Sequence, residues 1–330
     1  MTTDPSGEES LIARYFKPLA TNAGAFALVD DAAILKAEGE DIVVTTDAIV
    51  EGVHFLPDDP PDTVARKALR VNLSDLAAKG ATPAGFVLTL ALRRVDDTWL
   101  SAFARGLGED ATSFDCPLLG GDTVSTPGPV MVSITAFGRV PAGEMVPRAG
   151  AKPGDRVMVT GTIGDAAIGL DILTGGPAAA ALSSDAAARE MLVARYRVPQ
   201  PRNRLAASIR AHANSAMDVS DGLAGDLTKL CAASGVSAVI DVARIPISAA
   251  AQSVLAQRAV AVEALISGGD DYEILCTVPD ERCAALAAAA AQAGVALTAI
   301  GTVIAGSDAP RFLDGEGRAL PLARRSYSHF

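Results

Sequence analysis

Hydrophobic and polar positions alternate along the 330-residue chain in a way that predicts short strands interleaved with amphipathic helices. Ser6-Gly-Glu-Glu9 has capping-box spacing and predicts a helix carrying Leu11, Ile12, Tyr15 and Phe16. Apolar runs at 25–29 and 42–46 predict strands, the second rich in β-branched residues. Asp62 reads as the N-cap of a helix over 63–79, with Gly80 just past its end. Strands follow at 85–92, 118–119 and 130–140, with a helix at 97–113 between the first two. The turn-rich stretch 147–155 is the strongest break and divides the chain into domains over 1–148 and 149–330. The second half predicts strands at 156–160, 215–218, 238–242, 272–278 and 295–303. Its helices begin near Gly164, Asn203, Asp221 and Glu281, and an alanine-rich helical region runs to Arg195. The predicted class is α+β in two domains.

Composition narrows the function. Apolar residues make up 49% and aromatics only 4%, which predicts a globular chain with an aliphatic core. A net charge of −11 opposes binding to a phosphate backbone, so no nucleic acid is expected as a partner. The stretch 283–307 carries no charge but is interrupted by Gln292, Gly294, Gly301 and Gly306. It reads as a helix followed by a strand, so no membrane span is expected. The four cysteines form no CxxC pair and the polar N-terminus lacks a secretory pattern, which points to reduced thiols in the cytoplasm.

The informative residues are aspartates beside glycines and hydroxyls. They occur as Asp30-Asp31 after a strand, Thr45-Thr46-Asp47, Asn72-Leu-Ser-Asp75 within a helix, Gly120-Gly121-Asp122, Asp218-Val-Ser220-Asp221-Gly222, and Gly268-Gly-Asp270-Asp271. Oxygen donors of this kind suit Mg²⁺, which is commonly held by carboxylates together with substrate phosphates. Each cluster alone is equally open to turn chemistry or helix capping. Asp75 is the sharper case, because a carboxylate in an apolar helix is costly unless paired or coordinated. Arg148 could clamp a phosphate or lie solvated, and His54 could meet substrate or simply pack. Lys67 and Asn72 read as supports of their helix. Phosphate-loop, dinucleotide, zinc-protease and serine-hydrolase motifs are absent.

Taken in order, these segments resemble the thiamine-monophosphate kinase family of the aminoimidazole ribonucleotide synthetase-like superfamily. The resemblance is carried by Thr45-Thr-Asp-Ala-Ile-Val-Glu-Gly-Val-His-Phe55, Lys67-Ala-Leu-Arg-Val-Asn-Leu-Ser-Asp75, Gly120-Gly-Asp-Thr123, Gly150-Ala-Lys-Pro-Gly-Asp155, Asp218-Val-Ser-Asp-Gly-Leu223 and Gly268-Gly-Asp-Asp-Tyr-Glu273. It implies a two-domain fold whose N-terminal sheet completes a barrel-like interface in a homodimer. It implies Mg²⁺ on Asp31, Thr45, Thr46, Asp47, Asp75, Asp122, Asp218 and Asp221, and ATP on Gly121, Asp122, Arg148 and Ser220. His54 and Asp270 would meet thiamine monophosphate, with Tyr327 standing in for an aromatic that the family places near its C-terminus. Val29 and Asp270 depart from the glycine and glutamate usual at those positions.

The implied reaction is direct phosphoryl transfer from ATP to thiamine monophosphate, assisted by several Mg²⁺ ions and needing no general base. The alternatives are another ATP-dependent activity of the superfamily, such as a purine-pathway cyclo-ligase, and a catalytically silent nucleotide-binding subunit.

Overall fold

The computed structural model describes residues 29–30, 33–37, 39–322 and 326. The helix predicted from Ser6, the run at 25–28, and Asp31 and Tyr327 lie outside the described residues.

The first half builds a five-stranded sheet from β1 (Ala33–Ala37), β2 (Glu40–Val50), β3 (Thr82–Leu92), β4 (Leu118–Ser125) and β5 (Met131–Pro141). Their order is β1-β2-β5-β3-β4, antiparallel except for the β3–β4 pair. Helix α1 (Pro61–Ala78) follows β2, and helix α2 (Asp97–Ser113) makes the crossover that a parallel β3–β4 pair requires. Gly121 lies where β4 approaches β3 so closely that a Cβ would stand 1.9 Å from the Leu88 carbonyl oxygen.

The second half carries β6 (Arg156–Thr160), β7 (Ser215–Asp218), β8 (Ser237–Asp241), β9 (Ile274–Val278), β10 (Leu297–Ile304) and β11 (Arg311–Leu313). They form a six-stranded sheet ordered β11-β8-β10-β6-β9-β7. Around it run α3 (Asp165–Leu173), α4 (Pro177–Ala181), α5 (Ala186–Arg197), α6 (Ala206–His212), α7 (Leu223–Ser234), α8 (Ala249–Ala256), α9 (Val262–Ser267) and α10 (Asp280–Gln292). Neither sheet closes on itself.

Helix α1 joins the two halves. Thirteen of its 18 residues are buried, all round its circumference. A helix so enclosed is central rather than superficial. It packs on β2 and β5 of one sheet and on β7 and β9 of the other. The sequence places its start at Thr63, but the helix begins at Pro61. Proline fits the first helical position because its missing N–H has no partner there, so Asp62 falls in the first turn instead of capping. Likewise α7 starts at Leu223, not at Asp221, because Gly222 sits at φ +112° and turns the chain between them. Short helices α8 and α9 and strand β11 have no counterpart in the pattern, being too brief for a periodic signal.

Candidate functional site

The acidic side chains of three separated segments meet where α1 lies against β2 and the turn after β7. Along β2, residues alternate in direction, so Thr45 and Asp47 share the face turned toward α1 while Thr46 faces away. Thr45 donates its hydroxyl to Oδ2 of Asp75. Thr46 bonds instead to the carbonyl of Ile134 at 3.1 Å and accepts from the Thr135 hydroxyl. Asp47 and Asp75 lie close enough that each charge acts on the other carboxyl. Asp218, at the end of β7, is near enough to repel Asp75, while Ser74, one residue before Asp75, donates its hydroxyl to the Tyr272 carbonyl at 3.4 Å.

These carboxyls hold protons far more tightly than an exposed aspartate. Desolvation, and then the charge of Asp221, raise Asp47 to about 6. Burial raises Asp218 to about 7, with Asp226 and Asp47 adding repulsion. Burial and the charges of Asp218 and Asp47 hold Asp75 well above the usual carboxylate range, against the pull of Lys79. Lys79 is itself buried, donating to the Ala216 carbonyl at 2.9 Å and pairing with Asp30 at 2.7 Å. Below this wall Asp226, fully buried, accepts the Asp221 N–H at 3.0 Å, and Lys229 bridges Asp226 and Asp221 at 3.1 and 2.5 Å.

A cavity of about 430 Å³ opens in front of the acidic wall. Asp47, His54, Tyr196, Ser220, Asp221, Asp270 and Tyr272 are among the residues that line it. His54 follows β2, and its Nδ1 accepts the Val50 N–H at 3.0 Å. Asp270 stands in the loop before β9, held by its N–H to the Ser220 carbonyl at 2.8 Å. That loop is anchored by its buried neighbours. Both carboxylate oxygens of Asp271 accept the Gly164 N–H, and Glu273 takes up Thr160, Arg195 and Arg202.

The remaining candidates sit apart. By register, Asp122 shares a row with Thr89, Ser133 and Ala48, three strands from β2 and so about 14 Å away. Gly121 and Asp122 lie on the exposed edge strand β4. Arg148 follows β5, where its backbone N–H donates to Asp30 at 2.7 Å, and it does not line the cavity. Among the described residues no three acidic, histidine or cysteine side chains close on a single point. The donor set of Asp47, Asp75, Asp218 and Asp221 is nevertheless all hard oxygen and self-repelling, which fits divalent cations in kind.

Sequence reasoning missed Lys67, which is buried and bonded to the cavity wall instead of merely supporting its helix. Its signal was available, since Lys67, Val71 and Asp75 are spaced four apart and fall on one face. Tyr196 and Asp226 carried no comparable signal. Their positions depend on how distant segments pack.

Two family models match the chain: AIR synthase related protein, N-terminal domain, over residues 29–140, and its C-terminal domain over residues 152–311. Fold and site thus define a protein of the AIR synthase related class. A thiamine-monophosphate kinase of Caulobacter vibrioides is 45% identical over 331 residues, 98% of this chain and 91% of that one. A solved structure described as AaThiL complexed with AMPPCP and TMP superposes with a TM-score of 0.85 at 28% identity. It covers 98% of this chain and 97% of that one. The thiamine-monophosphate kinase structure from Stenotrophomonas maltophilia K279a gives 0.78 at 37% identity, covering 96% and 98%. The chain belongs to the thiamine-monophosphate kinase family.

Proposed function

We infer that this chain transfers the terminal phosphoryl group of ATP to the phosphate of thiamine monophosphate, releasing thiamine diphosphate and ADP. The observation that carries this reading is the near-complete match to a structure complexed with an ATP analogue and TMP, together with the 45% identical kinase.

The chemistry suits the residues present. A phosphate monoester has a second pKa of about 6, so the acceptor oxygen is already ionised at neutral pH. It needs alignment and relief from charge repulsion, not a base to remove a proton. His54, the histidine that lines the cavity, is tied through Nδ1 to a backbone N–H. Asp47, Asp75, Asp218 and Asp221, with the Thr45 hydroxyl, would hold Mg²⁺. Bound there, Mg²⁺ would draw off charge from the phosphate oxygens of both reactants. With these carboxylates engaged as ligands, transfer is direct, with no phosphoenzyme. Asp270 and His54, which line the cavity, would meet the acceptor. Gly121, Asp122, Arg148 and Ser220 would meet ATP, with Asp31 and Asp122 completing the metal set; the Thr46 hydroxyl, turned to the other face of β2, is left out of it. Tyr327 is proposed to contact the thiamine rings.

The chain is proposed to work as a homodimer in the cytoplasm. Support for pairing comes from β4, an edge strand exposed at all eight residues, with Leu118, Leu119 and Val124 open to solvent. Such an edge invites a partner. A barrel formed by two N-terminal sheets would cover it.

Incubation with ATP, Mg²⁺ and thiamine monophosphate tests the reading. Thiamine diphosphate and ADP in equal amounts are expected. ADP without thiamine diphosphate, or no product at all, overturns it.

A further inference from the structure

Helix α1 buries an ammonium group at the junction of the two halves. Lys67 is 1% exposed. An ammonium has three protons to donate and no lone pair. That of Lys67 donates to the His54 carbonyl oxygen at 2.8 Å and to Oδ2 of Asp270 at 2.8 Å, and lies 3.9 Å from the centroid of the Tyr196 ring. Its donors are thus committed to protein, and direct contact with a ligand is not its role.

What distinguishes these three partners is their place. His54, Tyr196 and Asp270 all line the cavity, yet they come from the turn after β2, from α5 and from the loop before β9. A buried ion pair is a poor way to gain stability compared with apolar packing. The lysine instead supplies geometry across the junction of the two halves. Asp270 sits at φ +69° and Tyr272 at +50°, a left-handed backbone that non-glycine residues keep only where their surroundings over-determine it. The Lys67 bond fixes Oδ2 of Asp270, and Oδ1 accepts the Tyr272 hydroxyl at 3.3 Å. The carboxylate is therefore held at both oxygens.

We propose that Lys67 is a positioning residue for the acceptor, holding the Asp270 carboxylate and the His54 turn at a fixed separation across the cavity. A phosphate ester that also carries a positive ring then meets Asp270 in one orientation. The inference rests on the reading of the acceptor as thiamine monophosphate.

The test is steady-state kinetics on the full chain with Lys67→Met, Asp270→Asn and the double variant. Lys67→Met is expected to raise KM for thiamine monophosphate about tenfold and leave KM for ATP within about twofold. Because Lys67 acts through Asp270, the double variant should show less than the product of the two single effects. The double variant also leaves no unpaired carboxylate at this point. If Lys67→Met fails to fold, comparison of the double variant with Asp270→Asn carries the test, and a small further change in acceptor KM is expected. Equal rises in both KM values, an unchanged acceptor KM, or fully multiplicative effects would overturn the proposal. Wild-type protein that forms no thiamine diphosphate overturns the function reading itself, a different result from active wild type with insensitive variants.

Discussion

The hydroxyl of Thr45 donates to Oδ2 of Asp75, tying strand β2 to the last turn of helix α1, 30 residues further along the chain. The bond occupies one oxygen of a carboxyl that also faces Asp47 and Asp218. Asp75 is thereby aimed at the acidic wall, not at its own helix. In Asp75→Asn the charge is lost and the shape is kept. Turnover is expected to fall at least a thousandfold, on the order of a removed transition-state contact. The melting temperature without Mg²⁺ should hold or rise, because repulsion among buried carboxylates is relieved. Near-normal kcat in this variant would remove Asp75 from the metal set.

Stability should depend on pH and Mg²⁺ together. Asp47 and Asp226 are raised to about 6 and Asp218 to about 7, from an ordinary value of 3.8. Between those values the native chain retains protons that the unfolded chain has released. The stability tied to these groups is therefore complete below about pH 4 and lost as pH rises through about 6 to 7. Mg²⁺ favours the ionised carboxylates and opposes that loss. Scanning calorimetry should give a larger Mg²⁺-induced rise in Tm at about pH 8 than at about pH 5, and Asp218→Asn should shrink the difference. An equal rise at both values would count against cation binding at this wall.

Glu273 is fully buried and serves Thr160, Arg195 and Arg202 at once. Its replacement by alanine strands two guanidinium groups beside the cavity loop. Breaking a buried ion pair from one side costs about 3–5 kcal/mol. Urea unfolding of Glu273→Ala should show a loss of that size. A change under about 1 kcal/mol would mean that the arginines find water or other acceptors.

Gly121 has a packing role that its candidate place beside ATP does not require. A methyl group there would collide with the Leu88 carbonyl, forcing β4 away from β3. Gly121→Ala should lose about 1–3 kcal/mol in urea unfolding, the range for overpacking. An unchanged midpoint would show that β4 yields freely.

Leu118 is 52% exposed on the same strand. If β4 forms the dimer contact, Leu118→Glu should shift sedimentation velocity from dimer to monomer, since an uncompensated charge buried in an apolar interface is costly. A dimer of undiminished strength would move the interface elsewhere.

Local chemistry made much of the fold legible in the sequence. The alternation of 42–46, the periodic stripe of α1 and the glycines past helix ends lie close to the observed elements, and α2, β6 and β7 match to the residue. Those signals depend on neighbours within one or two turns, so a linear reading can register them. The Asp-Gly and Thr-Asp clusters marked the chemistry in the same way. Tertiary packing alone decided that Asp47, Asp75, Asp218 and Asp221 share one wall while Asp122 stands about 14 Å off on the edge strand. It also decided that Lys67 reaches Asp270, more than 200 residues away. Sequence period specifies which face a side chain takes on its own element. What that face meets is set by how two sheets close on one central helix, and that is a property of the whole chain.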